Sequence, residues 1–571
     1  MAFQRHRISC SLPGGLLRSR IARRSWLVHT WQLENENDRQ LACGLRMREE
    51  INMMWRRLAA SGVAMAVSAV LVACSGPPEG GRQPRGGAEL LRVVGPFELH
   101  SLEPSRSDGF FTRLQVAETL VDADGRGVLR PGLATGWRVS GDQRTWTFGL
   151  RPDAVFHDGT NVTAEAVAAS LKTARDEPGT PWAEAPVAAV TGDGGEVRVQ
   201  LQRPYAPLPA VLAHASTQVL APASYGADGK VGKVIGTGPY RVERIEQPSK
   251  LEVVAFERWN GEKPNIKRIS YQAVGRAETR TLMAESGQAE VTFGIDPVSR
   301  QRIQRAAGVE ISSVTLPRTI LLKVNAGHEV LGDLRVRRAI SASLDRKAMA
   351  TALLRDPEMA ATQLFPPSLP EWHQDSVPPL AHDPGQARNL LAEAGWTSGT
   401  DGILTRDGKR LEISLRTFPD RPELPVLATA VQAALKEVGI RVNVQVGNSS
   451  EIPAGHQDGT MELGLYARNF ALVPDPLVTL GTDYGPRGAD WGAMGWSNAE
   501  LTRTLGDLAD GTDAAAAAAG REKISGILQS ELPVIPVAWY RQSAVVSDRV
   551  DGFTLDPLER SWLLDKLRWS S

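Results

Sequence analysis

Residues 131–160 read PGLATGWRVSGDQRTWTFGLRPDAVFHDGT, and this stretch decides the fold. Trp137, Trp146 and Phe148 alternate with polar residues, the period-two pattern of strands with one packed face. Asp158-Gly159 closes the stretch with a turn former. Working outward, short strands bounded by turn residues are expected at 89–94, 145–150, 196–201, 251–255, 320–324, 441–446 and 534–539. Helices alternate with them. Asp383-Pro384 supplies an N-cap and a first-turn proline, and Gly395 a stop. Asp333 opens a second helix through LRVRRAISASLDRKAMATALL, and residues 425–438 form a third that passes through Gly439 into the strand IRVNVQV. Further helices are expected at 164–175, 277–286 and 520–532. Strands and helices interleave without an internal repeat, which is the α/β class.

Composition excludes more than it identifies. The chain has 571 residues, 42% hydrophobic and 23% charged, with 65 basic and 65 acidic side chains. It is no disordered chain, disulfide miniprotein or polytopic membrane protein, and charge balance gives no reason to expect nucleic acid. The balance is a cancellation. Eleven basic and five acidic residues precede Cys74, so the remainder carries 54 and 60, a net of −6. Cys10, Cys43 and Cys74 are the only cysteines, so from Ala88 onward disulfides and thiol chemistry are unavailable.

Cys74 ends an export signal. In residues 54–76, MWRRLAASGVAMAVSAVLVACSG, Arg56 and Arg57 precede sixteen uncharged residues. That run is shorter than the ~20 residues of a membrane-spanning helix but suits a signal-peptide core. It closes on Leu71-Val72-Ala73-Cys74, which resembles the lipobox of bacterial lipoproteins, whose cysteine is lipidated and becomes the mature amino terminus. Residues 1–53 are read as an over-extended reading frame or a disordered leader, 54–74 as the signal peptide, and the Gly- and Pro-rich residues 75–87 as a flexible tether. The protein is therefore expected to be exported and lipid-anchored, on the outer face of the plasma membrane or in the periplasm.

No nucleophile elbow, P-loop or H-E-x-x-H motif occurs, and the seven histidines of the body are scattered without helical pairing. Gly236-Thr-Gly-Pro-Tyr240 has the look of a phosphate loop, but Pro239 lacks the amide donor such a loop needs. The alanine run at 514–519 is read as a helix or a linker. No enzyme activity, cofactor or metal ligand is expected.

Seven segments then carry a resemblance. They are Glu118-Thr-Leu-Val; Pro131 to Trp137 with Asp142 to Arg151; Val155-Phe-His-Asp-Gly-Thr160; Gly236 to Tyr240; Arg335-Val-Arg-Arg-Ala-Ile340 with Leu344-Asp-Arg346; Asp383-Pro384 with Leu390 to Trp396; and Pro533-Val-Ile-Pro-Val537. In this order they resemble bacterial extracellular solute-binding protein family 5, the peptide- and nickel-type receptors of ABC importers. The resemblance implies a periplasmic-binding-protein-like fold of two lobes closing on a solute. Domain I would comprise 88–124, 205–325 and 535–571, an inserted domain II 125–204, and domain III 326–534. The partners implied are a peptide or other small molecule, the permease subunits and, through the lipid, a membrane. The protein would act as a monomer. Arg335, Arg337 and Arg338 are read as a solvated or salt-bridged helix face.

Ligand residues follow from the same resemblance. Peptide receptors of the family anchor the amino terminus with an Asp four residues before a Pro; here that position is Leu472, and Asp475 is the substitute. Arg468 with Phe470 is similar to the Arg-x-aromatic arrangement of nickel-chelate receptors, and Trp182 falls near an aromatic position of those pockets. Gly179 and Ala215 replace pocket arginines, with His214 adjacent. Phe110, Phe111 and Trp491 are further candidates. Phe470 and Trp182 are equally read as core, and Arg468 as a surface residue. The function expected is capture of peptide-like solutes for an ABC importer. The alternatives are a receptor for nickel or another chelated metal and, from another class, a cell-surface signalling or chaperone-like module. Mass analysis of membrane-extracted protein tests the anchor: it should show a lipidated Cys74, and an unmodified thiol contradicts it.

Overall fold

A computed structural model describes residues 90–570 except Asp108 and Arg487; the signal peptide, Cys74 and the tether lie outside the described residues. Ten strands form one sheet: β1 Leu90–Gly95, β2 Tyr240–Glu246, β3 Lys250–Ala255, β4 Arg268–Ala273, β5 Val291–Phe293, β6 Val309–Val324, β7 Glu412–Thr417, β8 Arg441–Val446, β9 Leu463–Asn469 and β10 Val534–Ser547. Their order is β8-β7-β9-β6-β10-β5-β1-β4-β3-β2. β1 lies parallel to β4 and β5, and β7 parallel to β8 and β9. β6 and β10 join the two parallel groups.

Those two strands are long, 16 and 14 residues, and their antiparallel ladder is interrupted where proline removes a donor. It runs from Val309↔Ser547 to Thr315↔Arg541, then resumes at Thr319↔Trp539, so that Tyr540 alone faces Leu316, Pro317 and Arg318. A second shift falls between Ile320 and Leu321, opposite Pro536. Three main apolar cores surround this scaffold. One includes β1, β4 and β5 with Phe110, Phe111 and Trp562. A second packs helices Leu334–Ala342 and Glu423–Glu437 on β7 and β9. The third belongs to a separate antiparallel sheet of strands Ala134–Val139, Thr145–Leu150, Glu196–Leu201 and Val187–Asp193. Helix Ala164–Arg175 covers it, capped by the Thr163 hydroxyl, which accepts from the Ala166 amide. The opening sequence stretch supplies two of these strands, with Phe148 buried and Trp137 and Trp146 packed beside it.

The turn-rich motifs dock onto one another. The His157 amide donates to the Gly236 carbonyl at 2.9 Å and His157 Nε2 lies 3.0 Å from the Gly238 carbonyl. Burial pulls the imidazole down to about 4, so it is neutral and Nε2 donates. A Cβ at Gly236 would lie 2.1 Å from the Val116 carbonyl oxygen, and one at Gly238 2.1 Å from that of Gln115. Glycine is required there by close backbone approach, the role left open for this loop once phosphate binding is set aside.

Three expectations need correction. The helix opened by Asp333 ends at Ala342, and Asp345 caps a new turn, Arg346–Met349, because the short acidic side chain accepts from the Ala348 amide. Arg337 is no solvated residue: it is 5% exposed and donates to the carbonyls of Leu331, Gly332 and Glu531. The helix expected at 520–532 begins earlier, at Ala514, and runs to Glu531, so of the two readings of the alanine run the helix holds, with Asp513 accepting from the Ala515 and Ala516 amides. Among the described residues no helix is long and apolar enough to cross a membrane.

Gly238→Ala should lower the midpoint of thermal unfolding, since overpacking costs about 1–3 kcal/mol and the obstacle here is backbone. An unchanged midpoint contradicts the close approach.

Candidate functional site

A groove of about 730 Å³ opens between helix Pro181–Glu184, beside the four-stranded sheet, and helix Pro476–Asp483, beside the second core. Proline at the first position starts both helices, with Thr180 and Asp475 as N-caps. Glu184, Arg203, Tyr205, Thr482 and Asp490 give the groove its polar groups. The walls touch: Thr482 Oγ1 donates to Glu184 Oε2 at 3.0 Å, the Ala206 amide to the Ala509 carbonyl at 2.8 Å, and Arg203 Nη1 to Asp510 Oδ1 at 2.6 Å. These pairs are about 300 residues apart in sequence, so the groove exists only in the folded chain.

Arg468 stands on β9 and forms a two-point ion pair, Nε to Asp483 Oδ2 at 2.6 Å and Nη2 to Oδ1 at 2.7 Å. Asp483 is 1% exposed, whereas the Arg468 side chain keeps 22% of its surface. A guanidinium held in this way is fixed in orientation and still has donors for a carboxylate. His214, a further candidate, lies outside the groove's lining. Burial, with Arg560 and Arg468 nearby, pulls its imidazole down to about 4. Its Nδ1 accepts from the Ser216 amide at 3.2 Å, which leaves the proton on Nε2. That nitrogen therefore carries an N–H donor and no free lone pair.

The other candidates are placed differently. Asp475 caps its helix by accepting from the Leu477 amide at 3.0 Å, its charge felt by Tyr205 of the groove, and burial pushes its carboxyl up. Phe470 is fully buried, 5.3 Å from Phe365. Trp182 is fully buried in the core of the four-stranded sheet, its indole N–H donating to the Leu171 carbonyl at 2.8 Å. Phe110 and Phe111 lie in the core around β1, Phe110 5.1 Å from Tyr271. None of these rings has surface to offer a solute. Trp491 packs against Tyr466 at 5.0 Å, and the Tyr466 hydroxyl donates to its carbonyl at 2.6 Å.

Two charged features were not foreseen. Lys323, fully buried on β6, donates to the carbonyls of Ala489 and Asp490 at 2.7 and 2.8 Å and to His456 Nδ1 at 2.9 Å, so it ties down a loop that lines the groove. At the ladder interruption Arg318 pairs with Glu559, which also accepts from Asn469 Nδ2 at 2.7 Å. Arg421 donates to the Tyr540 hydroxyl at 2.9 Å, and Arg318 and Arg421 each lie 5.1 Å from the Tyr540 ring. Both Lys323 and Arg318 had a sequence signal: they are the two charges in the otherwise largely apolar run LPRTILLKV.

Burial pulls the Lys323 ammonium from its ordinary 10.5 down to about 7, against the attraction of Asp483 and Asp490. Above that value the unfolded chain binds a proton that the folded chain has released, so stability rises with pH towards 10.5; below it both states are protonated and the dependence vanishes. Lys323→Met should remove this rise, at most about 1.4 kcal/mol per pH unit, from urea-unfolding free energies taken above neutrality. Equal pH slopes in parent and variant contradict it.

Known proteins share this sequence and fold. The chain is 29% identical over 423 residues to the nickel-binding periplasmic protein of Escherichia coli (strain K12), covering 70% of this chain and 78% of that protein. It is 24% identical over 440 residues to DdpA of the same strain, named for D,D-dipeptide binding, covering 75% and 82%. The crystal structure of NikA from Brucella suis in complex with Fe(III)-EDTA superposes with a TM-score of 0.76 at 26% identity, covering 84% of this chain and 100% of that one. Residues 128–491 match the model of bacterial extracellular solute-binding proteins, family 5 Middle. With a two-part α/β fold, a groove between the parts and a match over more than half its length, the chain belongs to the bacterial extracellular solute-binding proteins of family 5.

Proposed function

We propose that this chain is the solute-capturing component of an ABC importer, held at a membrane by lipid on Cys74, and that it takes peptide-like solutes into the groove beside Arg468. The lobes would be 88–124 with 205–325 and 535–571, and 326–534, with 125–204 inserted into the first. The observation that carries the reading is a partly accessible guanidinium, Arg468, braced on Asp483 at the end of the helix that forms one wall, with the Glu184 carboxylate lining the other wall. Arg468, braced by Asp483, would supply donors for a carboxylate or carbonyl, and His214 Nε2, on the segment packed behind helix Pro181–Glu184 and outside the groove's lining, would be a further donor. Glu184, exposed on the opposite wall, supplies an acceptor for an ammonium. A zwitterionic peptide satisfies both ends, and capture would strengthen the existing contacts across the groove.

A second reading, an organic chelate of nickel or another metal as cargo, is favoured by the nickel-binding relative. The chelate would present its carboxylates to the same donors, with the metal held by the chelator, because His214 spends its lone pair on Ser216.

Thermal-shift measurements with dipeptides and with nickel–histidine decide between the two. The true solute should stabilise the chain by about 2.7 kcal/mol at a hundredfold excess over Kd, and Arg468→Ala should weaken it. Unchanged affinity for a carboxylate solute in Arg468→Ala removes that residue from the site, and turnover of a substrate without stoichiometric binding overturns the receptor reading.

A further inference from the structure

Lys323 reaches from β6 to the loop that forms part of the groove wall. Its side chain is fully buried, and the residues opposite it in the sheet, Gly464 of β9 and Val534 of β10, carry no charge. The ammonium has three N–H donors and meets three acceptors: the carbonyls of Ala489 and Asp490 and the Nδ1 of His456. All three are uncharged. A buried cation that touches no carboxylate is poised to give up its proton.

The charged groups that face it act from further away. Asp483, already paired with Arg468, and Asp490, which accepts from Gln457 Nε2 at 3.0 Å, favour the ammonium, and Arg468 opposes it. Tyr466 and Tyr484 are pushed up by burial and stay neutral. Arg416 of β7 packs on Gly455 of helix Glu451–Gln457 and donates to the Thr460 hydroxyl at 3.0 Å. His456, half-buried near the end of that helix, is held below its ordinary range by burial and by the ammonium itself, so its ring is neutral at pH 7.

The loop comprises residues 484–493, of which Gly485, Pro486, Gly488, Ala489 and Asp490 line the groove. Glycine, proline and alanine bury little side chain, so backbone contacts decide where this wall stands. Besides those to Lys323, the Trp491 carbonyl accepts from the Tyr466 hydroxyl, and the Ala493 amide donates to the Asp483 carbonyl at 2.8 Å. Loss of one proton leaves Lys323 with two N–H groups and a lone pair. That proton passes to His456 Nδ1 while the one on Nε2 leaves for water, so the imidazole ends as the tautomer that donates Nδ1–H to the amine. Each contact then persists without charge, and a neutral hydrogen bond is about half as strong as a charge-assisted one.

We propose that Lys323 is a proton-operated clamp on the groove. Charged, it holds residues 489–490 against β6 and keeps the wall in the shape that takes solute; neutral, it lets the loop loosen, and solute affinity falls. The clamp rests on the reading of the groove as the solute site, and it favours capture on the acid side of neutrality.

Hydrogen exchange of the purified chain, normalised to the intrinsic rate at each pH, reads the clamp without any solute. Protection of the Gly492 and Ala493 amides should fall about tenfold between about pH 6 and about pH 8.5. In Lys323→Met it should be low at both, and in His456→Leu, which takes one acceptor from the ammonium, the fall should move to lower pH. Equal protection at the two pH values in the parent, or a fall unmoved in His456→Leu, overturns the clamp. Calorimetric titration with dialanine reads the groove: parent affinity should drop at least about threefold relative to Lys323→Met over the same interval, a ratio that cancels the dipeptide's own titration. A loosened loop with an unchanged ratio overturns the coupling. If dialanine binds at neither pH, the peptide reading of the groove fails, and exchange alone decides the clamp.

Discussion

The pairing of β6 with β10 is the constraint on which the rest of this protein depends. Both strands pass from one apolar core to the other, so every relation between the two groups of parallel strands is carried through this one ladder. Proline at 317 and 536 prevents it from being regular, because each lacks the amide that a continuous ladder would use. At the wider interruption the chain places Arg318, 5% exposed, opposite Tyr540. A buried guanidinium is costly unless paired, and Glu559, arriving from the end of the chain, supplies the charge, while Asn469 of β9 supplies a further hydrogen bond. The bend is thus pinned by groups from three distant segments.

The groove inherits its shape from that arrangement. Its walls meet through contacts that connect the four-stranded sheet and its flanking loop to the helices beyond β9, and Val473 and Val478 extend into the core of that small sheet. Charge is treated differently on either side of β6. Arg468 is braced by a carboxylate and left partly accessible, which suits recognition of a solute. Lys323, four residues along the same strand from Thr319, the partner of Arg468 in the ladder, is sealed under backbone carbonyls and serves to hold a loop. Two cations on adjoining strands are therefore treated differently, one left partly accessible and one sealed beneath a loop of the wall.

Much of the fold was legible because local chemistry and tertiary structure agree. The strands at 145–150, 196–201 and 441–446 and the helix at 164–175 have the expected bounds, since alternation, capping residues and turn formers all point the same way. The failures have physical causes. Asp345 can cap a helix as well as sit within one, so a single expected helix became two. Arg337 is long enough to reach three backbone carbonyls and satisfy itself when buried, which its charge alone does not reveal. For the site, aromatic residues were a poor guide: Phe110, Phe111 and Trp182 serve the cores, because a large ring near a cleft gains as much from packing inward as from meeting a solute. Asp483 and Glu184 carried no motif, and their relation to Arg468 and Thr482 depends on long-range contacts that no sequence window contains.

The most direct measurement of the central claim is a crystal structure of the chain grown with the solute that stabilises it. Density for the solute should lie between helix Pro181–Glu184 and helix Pro476–Asp483, with an oxygen atom within hydrogen-bonding distance of Arg468 or His214 Nε2. Solute bound outside that groove, or in it without contact to either residue, would contradict the account.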